Sequence, residues 1–401
     1  MTFYRQTDFK ETPIGEVPED WEVINVGKVV TLKNGERPKI VKDGGFPVYG
    51  ANGVMGYSSN FSVDNDFTII IGRVGASGEV HLAEGKIWIS DNAIYSERYD
   101  KDKAHPPFVY YLLKFRHLAQ FASKTTHPII TQSFLNLFPI QLPPLLEQQK
   151  IAEVLSTMDE AIQKTNEVIA KTERLKKGLM QELLTKGIGH KEFKDTEIGR
   201  IPKEWVVVKL EQIVEINKES RDPSKESPNE EFLYIDIDSI EGGTGIIGEP
   251  KRIIGKNAPS RARRVIHPNN VIMSTVRPYL KAFAMVPKEY DNQICSTGFA
   301  VFRSKEGTVP HYLLHTLFSC IVISQCNRMM MGGQYPALNN SQVAEIRIPF
   351  PPPREQQKIG DILSTVDKKL ELERKEKAKL ERIKQGLMDL LLTGKIRVKV
   401  N

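Results

Sequence analysis

The sequence predicts an α+β chain organised as a pseudo-twofold tandem repeat: two α/β globular domains separated by a pair of long antiparallel coiled-coil helices. Three observations predict it. A stretch reading Pro143-Pro144, Glu147-Gln148-Gln149-Lys150-Ile151, Leu155-Ser156-Thr157, Asp159, Gly178-Leu179-Met180 and Leu183-Leu184-Thr185 returns without a gap. Its second copy reads Pro351-Pro352, Glu355-Gln356-Gln357-Lys358-Ile359, Leu363-Ser364-Thr365, Asp367, Gly386-Leu387-Met388 and Leu391-Leu392-Thr393. A shorter motif, Thr12-Pro13-Ile14-Gly15 with Pro18 and Trp21, returns as Thr196-Glu197-Ile198-Gly199 with Pro202 and Trp205. The text between the repeats follows one plan in both halves, β-rich runs and then a helix, while sharing little sequence. The order is opening motif, globular region, helix, twice over. The expected divisions are 1–142, 143–190, 191–350 and 351–401.

The long repeats read as helices from their ends and their period. Proline falls where a missing N–H costs nothing, and Glu147 and Glu355 follow where the helix dipole favours a carboxylate. Ile151, Leu155, Met158, Ile162, Leu179 and Leu183 in the first copy keep three-four spacing. Ile359, Leu363, Val366, Leu370, Leu387 and Leu391 do so in the second. Gly187 and Gly394 mark the stops. At about 1.5 Å per residue each helix runs on the order of 55–60 Å, too long for one compact core. Such a stripe needs a partner. The two copies are expected to pack on each other, the alternative being that each packs on its own domain. The run 371–379 is highly charged, so contact there is expected to be thin.

With 401 residues the chain has room for two or three domains with real cores. Forty per cent hydrophobic and 26% charged residues are ordinary for a soluble protein. Three cysteines, Cys295, Cys320 and Cys326, have no metal-binding spacing and suit a reducing cytoplasm. The first residues lack a signal peptide's apolar core, and the greasiest run, 312–323, is too short to span a bilayer. A net charge of +6 permits a polyanionic partner without demanding one.

In the first globular region strands are expected at 26–32, 68–71, 86–89 and 138–142, with a helix at 108–123 and a polar loop from Lys124 to Pro128. In the second, strands are expected at 232–237, 271–275, 298–303 and 345–349, with a helix at 310–326 and a Gly-rich loop from Met331 to Pro336.

Catalytic and cofactor signals are weak. His105-Pro106-Pro107-Phe108 mimics the Pro-Pro-aromatic tetrapeptide of amino-methyltransferases. That tetrapeptide opens with Asp, Asn or Ser, and no Gly-rich cofactor loop precedes His105, so a structural helix start is expected. The run from Gly72 to Gly78 lacks the Lys-Ser/Thr of a phosphate loop and reads as a tight strand connection, although Arg73 on such a loop could approach DNA closely. His311 and His315 are four apart but lack a zinc-binding partner. No carboxylate set suggests a nuclease. The expectation is a non-catalytic chain with no cofactor and no metal.

The duplicated helices and opening motifs together resemble the specificity subunit of type I restriction–modification systems. Residues 143–159 and 351–367 are similar to that family's helical regions. Ile14-Gly15, Pro18 and Trp21, with Ile198-Gly199, Pro202 and Trp205, are similar to its domain starts, and the likeness covers nearly the whole chain. It implies two target-recognition domains, each reading one half of a bipartite site on double-stranded DNA. It also implies partners: modification subunits that methylate adenine, and ATP-driven restriction subunits. No membrane is implied. The family's base-contacting residues vary freely, so none is carried over by motif.

The DNA-binding candidates therefore come from residue type and grouping. Cations suit phosphates, and forked Arg, Asn or Gln side chains suit base edges. In the first domain the candidates are Arg37, Lys39, Asn52, Tyr57, Arg73, Lys124 and Thr126. In the second they are Lys251, Arg261, Arg263, Arg264, Arg277, Gln334 and Tyr335. Any one of them could equally belong to a solvated face. The competing reading is a non-DNA scaffold with two protein- or glycan-binding domains on a coiled-coil spacer. Salt separates the two, since a duplex reader loses affinity steeply as salt rises.

Overall fold

Each repeated Pro-Pro pair opens a helix of 39 residues, Leu145–Leu183 and Pro353–Leu391, in a computed structural model that describes residues 2–123, 128–330 and 336–399. The chain divides into two compact units. One comprises residues 1–166 and 375–401, the other residues 167–374, so each unit contains a globular region and a part of both long helices.

In the first unit the opening motif forms a hairpin, Phe9–Thr12 with Gly15–Pro18, and delivers Trp21 into the core with no exposed surface. Glu22–Asn25 then pairs antiparallel with Pro139–Leu142. Residues 26–28 form a 3-10 turn, and the strand expected at 26–32 starts only at Val30. A six-stranded sheet follows in the order Val30–Asn34, Ala93–Tyr99, Val63–Gly72, Val80–Ile89, Phe46–Gly50, Gly53–Ser58. The helix Pro106–Phe115 buries Phe108, Val109, Leu112 and Leu113 in the core beside this sheet. It stops short of the expected 123 because His117 turns left-handed (φ 45°) into a 3-10 turn, Leu118–Phe121.

The second unit repeats the plan with interruptions. The hairpin Phe193–Thr196 with Gly199–Pro202 delivers Trp205, and Val206–Lys209 pairs with Arg347–Phe350. The continuous strand Val63–Gly72 has two counterparts here, Ala262–Ile266 and Val271–Ser274, separated at left-handed Asn269 (φ 65°). Val80–Ile89 likewise corresponds to Phe283–Met285 and Gln293–Ser296, interrupted by a turn at Lys288–Tyr290. One six-stranded sheet thereby becomes two four-stranded ones. The helix expected at 310–326 is two helices, Pro310–Leu317 and Cys320–Met330, broken at Phe318 and Ser319.

Within each unit the two long helices run antiparallel. In the first unit Lys384 pairs with Asp159 at 2.5 Å, and the Gln141 amide donates to the Leu392 carbonyl at 2.9 Å. In the second Lys176 pairs with Asp367 at 2.5 Å and Arg374 with Glu173 at 2.9 Å. Ile151, Leu155 and Leu391 are buried in the first unit's core, and Met158, Ile162 and Leu387 are half-buried. Ile359 and Leu363 pack around Trp205 and Tyr312, with Leu179 and Leu183 against the same cluster. Leu370 is buried and Val366 half-buried. The stripe thins in its middle, where Leu175 and Leu372 are 56% and 67% exposed. The apolar faces thus serve both the helix pair and the adjoining domains.

The repeated Glu-Gln-Gln text forms the joint between helix and domain. Gln148 accepts a hydrogen bond from the His105 N–H (2.8 Å) and donates to the carbonyls of Lys103 (2.7 Å) and Pro143 (2.9 Å). Gln356 accepts from the Val309 N–H (3.0 Å) and donates to the carbonyls of Gly307 (3.1 Å) and Pro351 (2.8 Å). The preceding glutamates have different partners. Glu147 holds Arg397, which also grips Asp20, whereas Glu355 accepts from His190 and from the Trp205 indole. With Glu147 so engaged, the Trp21 indole N–H has no hydrogen-bond partner among the described residues.

Candidate nucleic-acid interface

In the first unit several loops gather at one end of the sheet. Gly72 ends its strand, and its N–H donates to the Glu79 carbonyl (2.8 Å), closing the tight connection over 73–78. Gly72 is required there, because a Cβ would lie 2.9 Å from the Ala51 carbonyl and 2.1 Å from that of Ala76. The turn carrying Asn52 therefore abuts the loop carrying Arg73. The Arg73 N–H donates to the Asn92 carbonyl (2.8 Å), and the Ile130 N–H donates to the Arg73 carbonyl (3.1 Å). Val74 and Ile129 form a β-bridge, and the Ser77 hydroxyl reaches the Pro128 carbonyl at 2.5 Å. Arg73 is thereby fixed beside the segment 128–130, with Asn52 exposed nearby.

The second unit builds the equivalent corner from other residues. The Arg277 N–H donates to the Pro336 carbonyl (2.8 Å), and Val276 bridges Ala337. Thr275 donates from both its N–H (2.8 Å) and its hydroxyl (3.0 Å) to the Gly298 carbonyl. The Thr297 N–H donates to the Arg261 carbonyl at 2.8 Å. Arg261 and Arg277, both exposed, are thus brought to the same end of the fold.

Other candidates lie elsewhere or are already engaged. Lys124, Thr126, Gln334 and Tyr335 fall outside the described residues. Arg37 and Lys39 are exposed on the connection to the Phe46–Gly50 strand, and Tyr57 is 50% exposed on the following one. Lys251 pairs with Asp236. Arg263 pairs with Asp222 at 3.2 Å, and that carboxyl is held below its ordinary range by the Ser224 hydroxyl and the guanidinium. Arg264 is partly buried, which lowers its pKa, and its Nε has no hydrogen-bond partner among the described residues. Of the cluster 261–264, Arg261 is the exposed member, and it has no charged partner among the described residues.

The remaining motifs are structural. His105 caps the helix Pro106–Phe115 and gives its N–H to Gln148. His315 is 1% exposed, and burial drives its pKa down to about 3. Among the described residues no cluster could hold a metal ion, and no helix is long and apolar enough to cross a membrane.

The fold is that of a two-domain α+β chain on long helices, with a loop arginine at the same corner of each unit. The family model for the type I restriction modification DNA specificity domain matches residues 18–174 and again 202–382. The chain is 31% identical over 433 residues to a putative type I restriction enzyme MjaX specificity subunit of Methanocaldococcus jannaschii, covering 100% of this chain and 99% of the relative. It is 29% identical to the MjaVIII specificity subunit of the same organism, covering 100% of this chain and 98% of the relative. The crystal structure of a type I restriction-modification S subunit from M. genitalium shares the fold. Its TM-score is 0.65 at 18% identity, over 95% of this chain and 97% of that one. The chain belongs to the family of type I restriction–modification DNA specificity subunits, the non-catalytic components that recognise the DNA target.

Proposed function

We propose that the chain reads a bipartite duplex site, with residues 1–142 reading one half and residues 191–350 the other. The two long helices set the distance between them. Adenine-methylating modification subunits and ATP-driven restriction subunits assemble around this frame in the cytoplasm. One observation carries the reading. Both units end their central strand in a loop bearing an arginine, Arg73 or Arg277, which is hydrogen-bonded to the segment before the last short helix. The same corner is thus built twice with different side chains, as two readers of different sequences require. Arg73, Asn52, Arg261 and Arg277 are the DNA-contacting residues this reading favours, the arginines on phosphates or guanine edges and Asn52 on adenine.

The test is methylation-sensitive sequencing of DNA from cells carrying this chain with its modification subunits. A split motif with methyladenine in each half is the expected result. A continuous motif, or no methylation that depends on this chain, overturns the reading.

A further inference from the structure

The turn after Val271–Ser274 is built unlike its counterpart. In the first unit the matching turn runs Val74-Gly75-Ala76-Ser77-Gly78, and its left-handed positions are glycines, with φ of 86° at Gly75 and 88° at Gly78. The second unit has Val276-Arg277-Pro278-Tyr279-Leu280-Lys281, left-handed at Arg277 (φ 48°) and Lys281 (φ 55°). A side chain in that region carries backbone strain that glycine avoids, and such strain persists where the surrounding structure imposes it. Here it holds two cations at either end of one short turn.

The turn is hydrogen-bonded at both ends, and its tip is apolar. Pro278 is buried and anchors it, while Tyr279 and Leu280 are 46% and 57% exposed. The Leu280 N–H donates to the Arg277 carbonyl (2.9 Å), and the Gly243 N–H donates to the Lys281 carbonyl (2.9 Å). Gly242 leaves room for the Leu280 carbonyl, which a Cβ would approach to 2.4 Å. Lys281 also lines a hollow of about 620 Å³ together with Lys177. A tip carrying an aromatic ring and a leucine between two cations is complementary to stacked bases between phosphates.

We propose that Tyr279 and Leu280 form a wedge that enters the base stack of the half-site read by the second unit, with Arg277 and Lys281 on the flanking phosphates. The proposal rests on the DNA-reading function given above. The Tyr279 ring stacks on a base face, Leu280 fills the opened step, and the duplex kinks there. The first unit offers only Ala76 and Ser77 at the matching place, so its half-site stays stacked. Opening one step also lowers the cost of bringing a neighbouring base out of the helix for modification.

The experiment uses the full chain in complex with its modification subunits. Duplexes carry the methylated motif with 2-aminopurine placed in turn at each step of both halves. Fluorescence should rise several-fold at one step of the second unit's half-site and nowhere in the first. The double substitution Tyr279→Ser with Leu280→Ser should abolish that rise and weaken binding roughly tenfold, as loss of one aromatic–base stack does. Tyr279→Phe should keep both. A wild-type complex that binds the duplex with no enhancement at any step overturns the wedge and leaves the DNA-reading function standing. So does an enhancement that survives the double substitution. A wild-type complex that binds no duplex at low salt overturns both.

Discussion

Arg397 is 4% exposed and bonds two carboxylates, Glu147 and Asp20, at 2.7–2.8 Å. Burial opposes its charge, but the hydrogen bonds it donates to Glu147 and Asp20 outweigh that, and its pKa is raised. Replacing Arg397 with Met would leave Glu147, itself 2% exposed, as an uncompensated buried charge. The expected loss of stability is about 3–5 kcal/mol, measured by urea unfolding of the wild type and R397M. A milder effect attends His267, whose ring bonds Glu219 at 2.9 Å and Asp291 at 2.8 Å, with Arg303 also 3.5 Å from Glu219. Those carboxylates raise its pKa above the ordinary 6.5. The folded state therefore favours the charged ring. Its contribution is complete below pH 6.5 and fades as the pH rises through the raised value. The pair is partly exposed, so screening keeps the contribution under about 1 kcal/mol. In H267Q the fall in melting temperature above pH 6.5 should be shallower than in the wild type, and thermal scans at several pH values check it. Little of this was legible beforehand. The sequence marks Arg261, Arg263 and Arg264 as one basic run, but Asp222, which claims Arg263, lies some 40 residues away and meets it only in the fold.

At the scale of elements, what could be read was what is locally determined. The long helices announce themselves through period, proline and first-turn carboxylate, and both span 39 residues. The neighbouring helices are shorter or split relative to their composition because the breaks are tertiary. His117 and Ser319 interrupt segments whose composition is helical throughout, and the split at Asn269 divides what the first unit makes as one strand. The helix pair also allows a direct test of the spacer. Residues 166 and 374 mark where each helix passes from one compact unit to the other. Four residues inserted after Asn166 and four after Arg374 would lengthen both helices by about 6 Å and preserve the apolar face, since 3.6 residues make a turn. The methylated motif should then gain roughly one to two base pairs between its halves, at about 3.4 Å per pair. Two-residue insertions rotate the following segment by more than half a turn and should cripple methylation. An unchanged motif in the four-residue variant, with full activity, would mean that the helices do not set the spacing.

For the whole molecule, the tandem plan and the family were legible because repeats survive in the sequence even where the domains between them diverge. Which of the basic candidates stay unpaired was not, since exposure and ion pairing in the fold decide it. If each domain reads alone, replacing residues 205–350 with the matching region of a relative should change one half of the methylated motif and leave the other intact. Sequencing the DNA modified by the chimera measures this, and a change in both halves would refute independent reading. The joint at Gln148 and Gln356 gives that exchange a further meaning. Towards the globular regions, the hydrogen bonds of each glutamine among the described residues go to main chain: the His105 amide and Lys103 carbonyl in one case, the Val309 amide and Gly307 carbonyl in the other. Those atoms are the same whatever side chains surround them. A lineage can therefore rewrite every residue of a reading surface without renegotiating its attachment. A foreign domain acquired by recombination meets the two glutamines with its backbone, and must otherwise bring an apolar face for the helix stripe, as Trp205 and Tyr312 do. New targets become a matter of inheritance by the block, through a socket whose polar grip is on main chain.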